Sequence, residues 1–397
     1  MQKKIIRQYY ILSCLWSGVG LAFISAVYVS FLMKNGLNLF QVNMVNAVFF
    51  VSMFICEIPT GAFADIFGRK NSYIMACVIM CVSMIVYGLS HTFVGFLVAE
   101  ILGAIGCDFC SGAFKAWFVD SLDHYGYTED KCAIFCRNSY MSQASAGLGA
   151  VAGSYLYGLN PVLPWFASGA AMLLILVVAC LIMKEDYFVK EKFSWRESYS
   201  KMRDMAVKSV RYGIEDKAVR FILVITGMQV FAAQALNMYW QPFFAGRGIG
   251  SGWFGLIFAG VMLMLIVGGL VISRMKVNGR EKQLMIVMQM VMGTLAIAAA
   301  LVPGTFCIVT LYLLHEIPRG ASGPLRDSYL HKRIPSKERA TIASFCEAAP
   351  DVGGALGLIV SGAIAQYCGI ATAWVISGTI LVLGAIWLGR NGKGKED

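Results

Sequence analysis

The chain has 397 residues, 58% of them hydrophobic and only 14% charged, which excludes an ordinary soluble domain and leaves a polytopic membrane protein. A formal net charge of +10 does not read as a nucleic-acid surface here. Of 33 Lys and Arg, only Lys34 and Arg247 fall in loops that an even-numbered topology puts outside, and no interleaved stacking motif accompanies the rest. The excess is the positive-inside signal: it sets both termini in the cytoplasm and adds attraction to anionic membrane lipid.

A spanning helix needs roughly 20 apolar residues, and twelve such segments fit with little chain left over. The runs are continuous rather than alternating, so helices do the spanning and a barrel is excluded. Helix 1 is predicted over 9–33, helix 2 over 41–64, helix 3 over 72–90, helix 4 over 93–122, helix 5 over 131–159 and helix 6 over 163–183. The basic start, 1–7, runs into helix 1 with no small-residue cleavage site, so the first helix is expected to be retained. From 184 to 217 hydropathy collapses and charges of both signs alternate with Trp195 and Tyr199, giving an amphipathic cytoplasmic linker. Helices 7 to 12 are predicted over 218–244, 253–273, 283–302, 305–330, 339–367 and 371–388. The domains expected are therefore an N-terminal six-helix bundle at 1–183, a linker at 184–217, and a C-terminal bundle with a short tail at 218–397.

The twelve cysteines are scattered mainly through apolar segments and read as small hydrophobes. Cys107 and Cys110 form a CxxC beside Asp108, but no second Cys or His cluster completes a metal site. No metal or other cofactor is expected.

The two halves repeat. Ser111-Gly112-Ala113-Phe114-Lys115 in helix 4 matches Ser322-Gly323-Pro324-Leu325-Arg326 in helix 10 at an offset of 211 residues. The same offset sends Gly68-Arg69 onto Gly279-Arg280 and Gly158 onto Gly369. An even number of spans per half makes the repeats parallel, so the pseudo-twofold axis runs along the membrane normal and a shared cavity is expected near mid-depth.

Between helices 2 and 3 lies Gly61-Ala62-Phe63-Ala64-Asp65-Ile66-Phe67-Gly68-Arg69-Lys70. This stretch fits G-x-x-x-D-x-x-G-R-[RK], the loop 2–3 pattern of the major facilitator superfamily. With the six-plus-six layout, it makes nearly the whole chain resemble that family. The resemblance implies an all-α membrane protein with twelve transmembrane helices in two pseudo-symmetric six-helix bundles. It also implies that Gly61, Asp65, Gly68, Arg69 and Lys70, with Asp120 at the inner end of helix 4, form a gating latch. A degenerate copy spans Arg274 to Lys282; Lys276 replaces the acid, so only the first latch reads as complete. Two features depart from the family's drug exporters. Glu100 stands where an Arg often begins the helix 4 pattern, and helix 5 carries Gly147, Gly149 and Gly153 without the accompanying Pro.

Charged groups at hydrocarbon depth cost several kcal/mol unless paired or hydrated, so each is a candidate for function. The family places helix 4 at the cavity. There Asp108 sits near mid-depth, with Lys115 seven residues further on the same helical face. Helix 10 repeats the pattern with Arg319 and Arg326. Asp108 and Arg319 either face each other across the cavity or pair within their own bundles, and Glu316 is placed at i, i+3 to hold Arg319 locally. Glu347 and Asp351 lie one turn apart on helix 11, where two close acids favour exchange of one proton. Gln234 and Asn237 in helix 7, with Asn138 and Gln143 in helix 5, are candidates to line a route. Glu57 is read as a support of the latch, and Tyr9, Tyr10 and Trp240 as an aromatic belt at helix ends.

No phosphate loop of the G-x-x-x-x-G-K-[ST] type is present, so the energy is expected from a gradient. Acids outnumber bases among the buried charges, which favours protons. The function expected is proton-coupled efflux of drug-like or metabolite compounds by alternating access, with proton-coupled uptake as the alternative. The chain is expected to act as a monomer in the plasma membrane, with a small-molecule substrate and no nucleic acid partner. An enzyme is not expected, because His91, His124, His315 and His331 are isolated from any catalytic set.

Overall fold

The computed structural model describes residues 1–188, 215–275, 277, 279–333 and 339–391, apart from the side chains of 58, 331, 339–345, 347–349 and 391. Twelve long helices are found among them. α1 spans Gln2–Lys34, α2 Leu39–Phe67, α3 Arg69–Leu89, α4 Phe93–His124, α5 Cys132–Leu159 and α6 Leu163–Ile182. α7 follows at Lys217–Ala245, α8 at Phe254–Arg274, α9 at Glu281–Leu301, α10 at Thr305–Arg333, α11 at Arg339–Cys368 and α12 at Ile370–Asn391.

Ten of these are apolar enough over a sufficient length to cross a membrane by composition alone. The two that fall short are α5 and α10, and the residues that lower their hydropathy are instructive. α5 carries Arg137, Asn138 and Gln143; α10 carries His315, Glu316, Arg319 and Arg326.

The turn between α2 and α3 is shorter than the sequence suggests. α2 continues to Phe67 and α3 begins at Arg69, so a single residue, Gly68, reverses the chain at φ +94°. That left-handed backbone favours glycine, which carries no Cβ to clash there.

The helices gather into two compact units: Met1–Leu37, Val48–Tyr199 and Gly250–Met262 in the first, and Asn38–Ala47, Ser200–Ile249 and Leu263–Asp397 in the second. Relative to a boundary in the linker, two helix-start segments are thus exchanged. They are near-equivalents under the 211-residue offset, and each is fastened to the unit that holds it.

In the first unit, α3 packs on α4 and α6, and α1 packs on α5. Trp117, Trp165, Tyr73, Phe31, Phe96 and Phe118 are fully buried there. α1 is not regular: a π-helical stretch, Trp16–Leu21, interrupts it. The widened ladder leaves carbonyls that neighbouring serines satisfy. Ser145 Oγ donates to Cys14 O (2.7 Å), and Ser168 Oγ donates to Gly20 O. Glycines permit this approach, since a Cβ on Gly149 would overlap Gly18 O. The segment Gly250–Met262 seats in the same way: a Cβ on Gly255 would lie 2.6 Å from Ala150 O, and Ser154 Oγ donates to Ser251 O (2.6 Å).

In the second unit, α9 packs on α10 and α12, and α7 on α11 and α12. Trp374, Tyr239 and Phe244 are buried at its centre, with Trp374 Nε1 donating to Ala235 O (3.0 Å). The segment Asn38–Ala47 begins with a capping box: Gln41 N donates to Asn38 Oδ1 (2.8 Å) and Asn38 N to Gln41 Oε1 (3.0 Å). Its fully buried Asn43 donates through Nδ2 to Leu358 O (2.7 Å) and Ser361 Oγ (3.1 Å). One segment is therefore held by a buried amide and the other by close backbone packing.

The aromatic belt expected from sequence is corrected. Tyr9 is buried and stacks on Phe118 at 4.0 Å and Phe114 at 5.1 Å, while Trp240 is buried against Phe244 and Tyr312. Tyr10 lies beside Tyr9 and under the Arg137 guanidinium. Position near a helix end does not distinguish a belt residue from core when the helix overshoots the bilayer.

Candidate functional site

The first unit carries the latch residues. Arg69 Nε and Asp120 Oδ2 form an ion pair at 2.7 Å, about one-third exposed on both sides. Both charges sit at unfavourable helix ends: a cation in the first turn of α3 and an anion near the end of α4, against each macrodipole. Glu185 offsets this. Its carboxylate accepts the backbone N–H of Arg69 (2.8 Å) and of Lys70 (3.0 Å), capping α3. Lys70 Nζ donates to Cys180 O (3.0 Å). A Cβ on Gly68 would lie 2.7 Å from Glu185 Oε2, so the glycine also makes room for the cap. Gly61 is exposed with open space around it, and Asp65 is exposed on the last turns of α2.

The segment that brings Glu185 is itself anchored. Trp117 Nε1 donates to Lys184 O (2.9 Å), and the Tyr187 hydroxyl donates to Trp117 O (3.2 Å) while lying 3.2 Å from Ser121 Oγ. Burial pushes the Tyr187 hydroxyl up to about 12, so it remains a donor at any physiological pH.

Further into the membrane, Asp108 is 7% exposed and its Oδ2 has no hydrogen-bond partner among the described residues. Glu57 and Cys56 of α2 lie within electrostatic reach of it. Glu57 and Asp108 each precede a member of the Arg69–Asp120 pair by 12 residues. Lys115 is exposed, its Nζ 5.3 Å from the centre of the Phe135 ring.

In the second unit the equivalent helix face is neutralised. Arg319 Nη1 donates to Glu316 Oε2 (3.1 Å) and to Asn237 Oδ1 (2.9 Å), and His315 Nδ1 lies 3.3 Å from Glu316 Oε1. His315 and Glu316 are buried. Arg319 is thus held locally at i, i+3. Gln234 is buried on α7, one turn from Asn237. Toward the end of α10, Ser322, Gly323 and Arg326 line a cleft of about 130 Å³ with Thr226, Gln229 and Asp351. Arg326 also pairs with Asp327 (3.1 Å). Glu347 lies on α11, but its side chain falls outside the described residues.

The copy of the latch pattern in the second unit still carries a charged pair. Lys276 and Asn278 lie outside the described residues, yet Glu281 at the start of α9 pairs with Lys332 at the end of α10. Under the offset these positions follow Arg69 and Asp120 by one residue, with the charges reversed. The reversed pair agrees with both helix macrodipoles and needs no external cap. Sequence reasoning centred on Lys276 missed it; an acid at a helix start and a base one helix later at its end was the available signal. Glu185 carried no such signal, because the pattern it completes is discontinuous. Among the described residues no group of His, Cys, Asp and Glu could hold a metal ion.

A family model of the Major Facilitator Superfamily matches residues 11–275. The chain is 23% identical over 373 residues to the uncharacterized MFS-type transporter YxaM of Bacillus subtilis (strain 168), covering 92% of this chain and 91% of that one. It is 27% identical over 203 residues, 48% of each chain, to multidrug resistance protein 2 of the same organism. Among solved structures, the nucleoside transporter NupG superposes with a TM-score of 0.75 at 15% identity over 99% of both chains. A peptide transporter, POT, superposes with a TM-score of 0.76 at 14% identity over 98% of this chain and 94% of that one. These likenesses show the fold. With the matched family model spanning well over half the sequence, the chain belongs to the major facilitator superfamily and is a multi-pass membrane transporter rather than an enzyme.

Proposed function

We propose that this transporter is a proton-coupled exporter of small drug-like or metabolite compounds, working by alternating access with Asp108 as the exchangeable carboxyl. One observation carries the reading: Asp108 is buried at membrane depth with an unpartnered oxygen, and the Glu57 carboxylate lies within electrostatic reach of it. Glu316, a buried acid of α10, is tied up by Arg319 and His315 and is poorly placed to release or take a proton in each cycle. Export is favoured by the likeness to multidrug resistance protein 2, and a cytoplasmic location of both termini by the Lys and Arg distribution. The Arg69–Asp120 latch acts as a gate element whose strength is set by Glu185. Glu347 and Asp351 are a secondary proton site, and Gln234 and Asn237 line the substrate route. The protein works as a monomer in the plasma membrane.

The test is transport in proteoliposomes under an imposed pH gradient, with a panel of solutes and Asp108→Asn as comparison. Gradient-dependent movement is expected for the wild type and not for the variant. Undiminished driven transport by Asp108→Asn would remove Asp108 from the mechanism. Proton-coupled uptake is the second reading, favoured by Glu100 where exporters often carry Arg; accumulation with, rather than against, the proton flow selects it.

A further inference from the structure

Within the membrane-spanning part of the first unit, Glu57, Asp108, Lys115 and Arg137 form no ion pair with any described residue. Lys115 and Arg137 are exposed and lie against aromatic faces, those of Phe135 (5.3 Å) and Tyr10 (6.0 Å). Charges at this depth avoid lipid, so the face of α4 that bears them meets water or a solute. Asp108 and Lys115 stand seven residues apart, within about 20° of the same helical face and about 10 Å apart along the axis. Between them Ser111 and Gly112 are exposed, and a Cβ on Gly112 would meet nothing within 4 Å. The face therefore carries a buried acid with an unpartnered oxygen at one end, an exposed hydroxyl and bare backbone in the middle, and an exposed cation at the other end. The second unit gives an independent view of the same element, because its equivalents Ser322, Gly323 and Arg326 line a water-accessible cleft.

The geometry points to an amphoteric substrate, one that carries an amine and an acidic group at opposite ends: we propose that Asp108 receives the amine and Lys115, with Ser111, the acidic group. A solute with one charge would leave either Asp108 or Lys115 unpaired in a partly desolvated strip, and a neutral one would leave both. Phe135 fixes the Lys115 ammonium without neutralising it, so the cation is preorganised and its charge remains available. Phe63 and Phe109, whose rings lie 5.2 Å apart edge to face, supply aromatic surface near the acid end.

The assignment rests on the reading of the chain as a transporter with Asp108 at its centre, but equilibrium binding needs no gradient and separates the two. Full-length protein in nanodiscs is titrated with 4-(aminomethyl)phenylacetate, phenylacetate and benzylamine, which share a ring and carry two charges, the anion alone and the cation alone. The two-charge probe is expected to bind about tenfold or more tightly than either of the others, the worth of one added charge-assisted hydrogen bond. Lys115→Gln should bring it to the level of benzylamine, while Lys115→Arg retains most of the preference. Asp108→Asn should bring it to the level of phenylacetate. Absence of any excess for the two-charge probe in the wild type would overturn the proposal. So would an excess that survives Lys115→Gln, or identical behaviour of Lys115→Gln and Lys115→Arg. Absence of proton-driven transport by the wild type, with its binding preference intact, would count against the coupling role of Asp108 and leave the substrate class standing.

Discussion

Glu185→Ala removes a carboxylate that accepts two backbone N–H groups at the start of α3, at 2.8 and 3.0 Å. Losing a side-chain cap costs about 0.5–2 kcal/mol, and losing a negative charge at a helix N-terminus about 0.3–1 kcal/mol. Glu185 is half-buried, so the charge contribution is reduced by solvent and the total comes to about 2 kcal/mol. That should appear locally before it appears globally. Hydrogen exchange of the amides of Arg69 and Lys70, measured in nanodiscs, should accelerate by about 30-fold, at tenfold per 1.4 kcal/mol. Glu185→Gln keeps an oxygen acceptor and loses the charge, so it should cost about half as much. The reasoning is refuted if Glu185→Ala leaves these amides within twofold of wild type, or if Glu185→Gln is as damaging as Glu185→Ala.

The latch pair Arg69–Asp120 is part-exposed, and a double-mutant cycle with Ala at both positions should give a coupling of only about 0.5–1 kcal/mol in thermal unfolding. Arg319→Gln strands the buried Glu316 carboxylate and should cost about 3 kcal/mol, while Glu316→Gln combined with Arg319→Gln should recover most of that loss. Gly149→Ala drives a methyl into Gly18 O and should destabilise the first unit by about 1–3 kcal/mol, read as a lowered Tm. Gly61→Ala, in open space, should leave the Tm unchanged. Lys332→Ala should lower the Tm more than Asp120→Ala, because the buried Glu281 then loses a partner that the helix ends favour.

The all-helical architecture was readable in the sequence because continuous apolar runs of spanning length leave few alternatives, and α4, which begins at Phe93 as expected, needed no tertiary information. The repeat at 211 residues located Asp108, Lys115, Arg319 and Arg326 as equivalent positions. What the sequence could not reveal were partnerships set by packing. Glu185 is 116 residues from the Arg69 N–H that it caps, and nothing in its neighbourhood marks it. The break in α1 follows from glycines and serines on other helices, and helix periodicity alone reads straight through it. Tyr9 and Trp240 look interfacial by position and are core by burial. Glu281 and Lys332 show a further limit: a motif search tied to fixed positions discards an ion pair whose charges have exchanged ends.

The central claim, that Asp108 carries the exchanged proton, is tested most directly by proton movement itself. Vesicles holding the protein and a trapped pH-sensitive dye are given, without an initial gradient, a solute that the wild type transports. A solute-evoked change of internal pH is predicted for the wild type and its absence for Asp108→Asn, in which solute exchange across the membrane persists at a reduced rate set by the weaker binding. An equal pH change in Asp108→Asn would contradict the account.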